Sequence, residues 1–211
     1  MAVRRGIATV AAVALLATTT LAGAAEITVL ATTAMKSALD ALIRLGRVVA
    51  ASRADIAGVR IGVAVRKGAP RPDISSADAL KRALLAAKSV AFVDPASGGA
   101  SGAHLVPMFE RLGVAAQVNA KARLARGGPD GMVSAIVAAG EAEIGLQQIS
   151  EIMSVDGVDL VGPLPDELQS VTVYSAGLLA KAALPDAAQA LILFLRTPEA
   201  VVVLRAKGLE P

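Results

Sequence analysis

Along most of its length this chain alternates short, β-rich apolar runs with runs whose apolar residues recur at helical spacing, and that alternation admits few folds. EITVLA (26–31) reads as a strand and MKSALDALIRL (35–45) as the helix after it. VRIGVAVRKG, Val59 to Gly68, alternates as a strand, and beyond a Pro-rich connector Ser75 and Asp78 are spaced as a capping box for the helix ADALKRALLAAK. SVAFV (89–93) is a strand again, and DPASGGASGAH, Asp94 to His104, is the loop after it. LVPMFERLG follows as a helix with Leu105, Met108, Phe109 and Leu112 on one face and Pro107 in its first turn. QVNAKARL then reads as extended, ARGGPDG as a turn, MVSAIVAAGE as a helix ending near Gly140, and AEIGLQQ as a buried strand. VDLVGPLP and QSVTVYSAGLLA precede two closing helices, each opening on a proline. The pattern implies an α/β fold with a largely parallel sheet, in which ligands sit at the carboxyl ends of strands beside helix N-termini.

Composition narrows the chemistry. The 211 residues include no cysteine and one histidine, which removes disulfides, a cysteine nucleophile and cysteine-ligated zinc, and leaves no histidine pair for a metal. With no tryptophan, one tyrosine and three phenylalanines there is little surface on which to stack bases, so no nucleic-acid partner is expected. MAVRR followed by GIATVAAVALLATTTLAGAA reads as a secretory signal over residues 1–24, with Ala22-Gly23-Ala24 as its cleavage site. Cleavage there removes Arg4 and Arg5 and lowers the formal charge from +3 to +1, so the basic isoelectric point marks no nucleic-acid face. Export without cysteines suits a bacterial periplasm.

DPASGGASGAH lacks the GK[ST] ending of a P-loop, and Gly98, Gly99 and Gly102 do not have GxGxxG spacing. Two readings remain: backbone N–H groups with the Ser97 and Ser101 hydroxyls holding a small anion at a helix N-terminus, or a long turn with Ser101 as an ordinary N-cap. Thr32 and Thr33 in ATTAMKS pose the same choice. His104 has no GxSxG motif beside it, and no carboxylate pair is spaced for acid–base work, so no enzyme, metal or cofactor is expected. Gln147 and Gln148 end a buried strand, where amides need either structural partners or a ligand.

The AEITVLATTAMKSAL opening, SVAFVDPASGGASGAHLVPMFERLG, GEAEIGLQQISEI, QSVTVYSAGLLA and the closing FLRTPEAVVVLRAKGLEP together resemble the periplasmic solute-binding proteins of the molybdate-binding type, the receptors of ABC importers. The resemblance implies a two-lobed type II periplasmic binding fold that closes on a tetrahedral oxyanion held by N–H groups and hydroxyls. It implies lobes made of residues 25–66 with 170–211, including the hinge-crossing strands, and of residues 67–169. The ligand-binding positions it carries over are Thr32 and Thr33, Ala100 and Ser101, Gln147, and Tyr174. Its implied partners are a small oxyanion and the ABC permease of the inner membrane, with the receptor itself a monomer.

The chain departs from the family pattern after Leu42. GRVVAASRADIAGVRIGVAVRKG follows where the family has a further strand, a helix opening on Ser-Gly residues and an Ala-Asp strand, so the first lobe is shortened. A missing charge-assisted hydrogen bond removes roughly 1.5 to 3 kcal/mol from anion binding. The shortened lobe also leaves apolar strand edge as a route to association. The alternative reading is a family remnant that acts through its surface without capturing a ligand.

Overall fold

A computed structural model describes residues 35–126 and 131–211. The signal segment, the strand read at 26–31 and most of the ARGGPDG turn lie outside the described residues. The described chain runs through α1 (Met35–Arg44), β1 (Ala54–Arg66), α2 (Ala77–Ala86), β2 (Val90–Val93), α3 (Ala100–Arg111), α4 (Ala115–Asn119), β3 (Ala122–Ala125), α5 (Val133–Ala138), β4 (Ile144–Gln148), α6 (Ile149–Ile152), β5 (Val158–Pro163), β6 (Val171–Ala176), α7 (Pro185–Phe194) and α8 (Pro198–Ala206).

The α/β fold is built on one six-stranded sheet in the order β3-β2-β4-β1-β5, with β6 alongside β1. Parallel pairing holds where strand and helix alternate strictly, between β2 and both β3 and β4. β1 arrives from the other end of the sheet and runs antiparallel to β4, β5 and β6. Its 13 residues do two jobs. Ala54 to Arg60 pair with β6, and Ile61 to Arg66 pair with β4 and β5. The strand read at Val59 to Gly68 thus begins five residues earlier and stops at Arg66, where Gly68 turns the chain with φ +78°. The early start escapes the alternation rule because of Gly58, which has low strand propensity yet is required there: a Cβ on it would come 2.8 Å from Val171 Cγ1 on β6.

The main core lies between the sheet and helices α2, α3 and α4, with Val63, Leu80, Leu105, Met108, Val114, Val118 and Leu146 fully buried. Phe92 of β2 and Phe109 of α3 meet there edge to face, ring centroids 5.3 Å apart. A smaller core on the opposite face joins Ala91, Val133 and Val137. Lys121 closes the C-terminal end of α2 by donating to the carbonyls of Leu85 and Ala87. The α1 end is tied in by Arg53, whose guanidinium lies 3.7 Å from Asp40 and 3.3 Å from Asp55.

Three local expectations shift in register. The cap of α2 is Ser76, whose side chain accepts from the Ala79 N–H at 3.2 Å, while the Ser75 N–H is taken by Asp73 Oδ1 at 3.0 Å. Two adjacent serines offer the same chemistry, and the Asx turn at Asp73 decides between them. Ser76→Ala should therefore lower stability by about 1 kcal/mol, and Ser75→Ala by under about 0.5 kcal/mol, in urea melts followed by circular dichroism. Pro107 sits well inside α3, since the helix begins at Ala100 within the glycine-rich stretch. Gln117 to Asn119 lie in the short helix α4, where Val114 and Val118 reach the core once Gly113 has turned the chain with φ +69°.

Candidate functional site

Parallel β2 and β4 present their carboxyl ends on one edge, with Phe92 level with Leu146. Everything that follows either strand is delivered to that edge. After β2, Asp94 caps a single 3-10 turn, Pro95–Ser97, accepting from the Ala96 N–H at 3.0 Å, and Ser97 Oγ donates to the Asp94 carbonyl at 2.7 Å. The Ser97 hydroxyl is thus spent on the turn. Gly98 takes φ +79° and Gly99 is the N-cap of α3, with no side-chain cap. Ser101 lies two residues past the capping position and is buried at 4% exposure. The first intrahelical bond is Ala103 N–H to Gly99 O, so the amides of Ala100, Ser101 and Gly102 face out of the open end of the helix. This end is pressed onto the strand, since a Cβ on Gly102 would lie 2.3 Å from the Val93 carbonyl oxygen.

After β4, the two glutamines diverge, as neighbours in a strand must. Gln147 Oε1 accepts from Ser134 N–H at 3.1 Å and Ser134 Oγ at 3.0 Å, which closes the start of α5. Gln148 turns the other way. Its Oε1 accepts from the Tyr174 hydroxyl at 2.9 Å and its Nε2 donates to Thr172 Oγ1 at 3.1 Å. The strand register brings this about: Gln148 lies opposite Ile61 of β1, and Thr172 and Tyr174 lie opposite Val59 and Ala57 further back along the same strand.

Glu151 follows within α6, three residues past Gln148. Burial pushes its carboxyl above the ordinary glutamate value of 4.5, opposed by a hydrogen bond with the Gln147 side chain. Tyr174 is also raised, first by burial and then by the charge of Glu151. His104 is used structurally, its Nε2 lying 2.8 Å from the Leu168 carbonyl. Gln169 does similar work: its Oε1 accepts from the Ile61 N–H at 2.8 Å and its Nε2 donates to the Ile61 carbonyl at 3.0 Å, so a side chain stands in for a strand neighbour.

Of the positions singled out in the sequence, Ala100 and Ser101 lie at the open end of α3, Gln147 ends β4, and Tyr174 reaches over from β6. Thr32 and Thr33 lie outside the described residues. The sequence reading flagged Gln148 beside Gln147 as an amide in need of partners but carried over only Gln147 as a ligand position, and it passed over Thr172 and Glu151. The tandem glutamine was the available signal, because strand alternation guarantees that one amide faces away from the other.

Comparison with known proteins adds the family. The sequence model described as bacterial extracellular solute-binding protein matches residues 7–210. A Pseudomonas sp. protein named aconitate isomerase is 43% identical over 175 residues, covering 83% of this chain. The chain spans 64% of that relative's length. Two solved structures share the fold. One is described as the substrate-binding domain of a molybdenum ABC transporter from Clostridium difficile, with a TM-score of 0.69 at 16% identity, covering 84% of this chain and 74% of the other. The second is the periplasmic molybdate-binding protein of Azotobacter vinelandii, with a TM-score of 0.63 at 18% identity, covering 84% and 76%.

Proposed function

Since this chain belongs to the bacterial extracellular solute-binding proteins, we propose that it captures a small oxyanion outside the cytoplasm and delivers it to an ABC permease of the inner membrane. The observation that supports this reading is the shared edge of β2 and β4: the open amides of Ala100 to Gly102 follow β2, and Gln148, bonded to Tyr174, ends β4. Amides at a helix start favour negative charge, and a tyrosine hydroxyl adds a donor that can turn from Gln148 to a ligand oxygen. Thr32 and Thr33, which follow the strand that the sequence pattern suggests at 26–31, belong to the same proposal. The pairing of β1, first with β6 and then with β4 and β5, supports its role as a strand shared between the two proposed lobes.

The ligand class is set by its oxygens, whether they belong to molybdate, sulfate or a carboxylic acid. A thermal-shift panel of molybdate, sulfate, phosphate and fumarate tests the reading, since an anion at about 100 times its Kd adds roughly 2.7 kcal/mol of stability. Tyr174→Phe should weaken the responding anion about 10- to 100-fold with a smaller change in the unliganded melting midpoint. A silent panel, joined to a dimer in sizing experiments, would leave the surface-acting remnant as the function.

A second reading comes from the Pseudomonas relative, whose name makes it an isomerase of a tricarboxylic acid. Here the same edge would hold the acid's carboxylates while a side chain moves a proton. Incubation with trans-aconitate, followed by chromatographic separation of the cis isomer, decides between carrier and catalyst: conversion above the protein-free rate supports the isomerase.

A further inference from the structure

We infer that this chain pairs with a second copy of itself through the exposed face of α8, the two helices running antiparallel about Val202 and Val203. The inference goes beyond anion capture and holds whichever ligand the protein takes. α7 and α8 are apolar helices that use little of their apolar surface within the chain. Ile192 is the buried residue of α7 and Ala200 that of α8. Leu193 and Phe194, at the end of α7, are each 56% exposed, Val202 is 68% exposed and Val203 59%. Helical spacing gathers the exposed residues of α8 on one side: Ala206 follows Val202 by one turn, and Glu199 and Lys207 stand one turn before and one turn after Val203.

The charges on that face select the occupant. A two-fold pair sets each residue against the one equally far on the other side of the centre. Centred on Val203, antiparallel pairing puts Glu199 opposite Lys207 of the second copy; centred on Val202, it puts Glu199 opposite Arg205 of the second copy. Either register joins valines in the middle and closes both ends with opposite charges, and it also opposes the two helix dipoles. A parallel pair would set Glu199 beside Glu199 and Lys207 beside Lys207. Among the described residues, Glu199, Arg205 and Lys207 form no salt bridge within the chain. A lipid surface fits less well. Among the described residues no single helix is long and apolar enough to cross a membrane, α7 and α8 are bent by 64° to each other, and Glu199 on the apolar face would meet anionic headgroups as a like charge. One short helix pair is a small contact beside the roughly 800 Å² per partner of a standard interface, so the association is weak and depends on concentration.

Sedimentation velocity on the purified protein from about 1 µM to about 500 µM, with circular dichroism and thermal melts on each variant, is the test. Expected is a monomer–dimer equilibrium whose dissociation constant rises at least about tenfold in Val203→Glu, with the spectrum and melting midpoint kept, because two like charges then meet at the centre. Glu199→Lys alone and Arg205→Glu/Lys207→Glu alone should each weaken the dimer, and mixing these two proteins should restore it, since each end of the mixed pair again sets a cation against an anion. A monomer throughout the range overturns the inference, and so does a dimer indifferent to Val203→Glu or a mixture that fails to recover. Two outcomes would reassign the face: a monomer whose melting midpoint collapses in Val203→Glu has it covered by its own residues 25–34, and a monomer that binds phosphatidylglycerol vesicles through Val203 has it covered by lipid.

Discussion

Gly102→Ala should cost about 3 kcal/mol of stability, a fall in melting midpoint of roughly 6 to 12 °C for a domain of this size, and should abolish the response to anions. Alanine is ordinarily the better helix residue, by about 1 kcal/mol over glycine, so an exposed helix would gain from the change. The sign reverses here because the new Cβ would meet the Val93 carbonyl oxygen at 2.3 Å and the Val93 carbonyl carbon at 3.0 Å. Both are backbone atoms of a buried central strand, so the first turn of α3 must lift away. Lifting it moves the amides of Ala100 and Ser101, which are the proposed anion donors. Gly99 sharpens the contrast, because its added Cβ would meet side-chain atoms, Val93 Cγ1 at 2.5 Å and Ser97 Oγ at 3.9 Å, rather than backbone. Thermal melts with and without anion, run on both alanine variants, check the ordering: Gly102→Ala should be the more damaging on both counts.

Much of this edge was readable before any coordinates. Strand–loop–helix order at SVAFV-DPASGGASGAH-LVPMFERLG follows from local periodicity, and so does the buried strand ending in Gln147 and Gln148, because each depends on residues within one short window. What escaped depends on register. Whether Ser75 or Ser76 caps α2 turns on the Asx bond at Asp73. Where α3 begins turns on Gly98 adopting φ +79°, which moved Ser101 from a capping position to a buried one. Glycine permits such a backbone without announcing which of several glycines adopts it. The partner of Gln148 and the place of Glu151 escaped for a non-local reason: Tyr174, which donates to Gln148, is brought over by β6, paired to β1 at the far end of the strand that β4 joins. A lone glutamate on a four-residue helix carries no signal until that pairing is known.

The surface tells a similar story about lobes. The sequence expectation placed exposed apolar surface on strand edge; Leu124 of the edge strand β3 and Val171 of β6 are exposed, and further large exposed apolar side chains, Leu193 and Phe194 on α7 and Val202 and Val203 on α8, lie on helices. Both helices come from the closing segment that the resemblance assigns to the shortened lobe.

Phe109→Ala should destabilise at least as much as Gly102→Ala, by about 3 to 5 kcal/mol, and yet leave the affinity for a responding anion within about twofold while the protein is folded. Phe109 is 1% exposed, stacks edge to face on Phe92 and lies among Leu105, Met108 and Val114, so its loss opens a cavity among neighbours that are themselves fully packed. That cavity lies more than a helical turn beyond Ala100 and Ser101, on the buried side of α3. The first turn is still located by Gly102 against the Val93 carbonyl and by the His104 bond to Leu168, neither of which involves the lost ring. Stability and capture should therefore separate: Phe109→Ala lowers the melting midpoint but keeps the anion-dependent increment, whereas Gly102→Ala loses both. Equal loss of the increment in the two variants would mean that the amides of α3 are held by the packing of the whole helix rather than by its contact with β2, and the site would then have no anchor of its own.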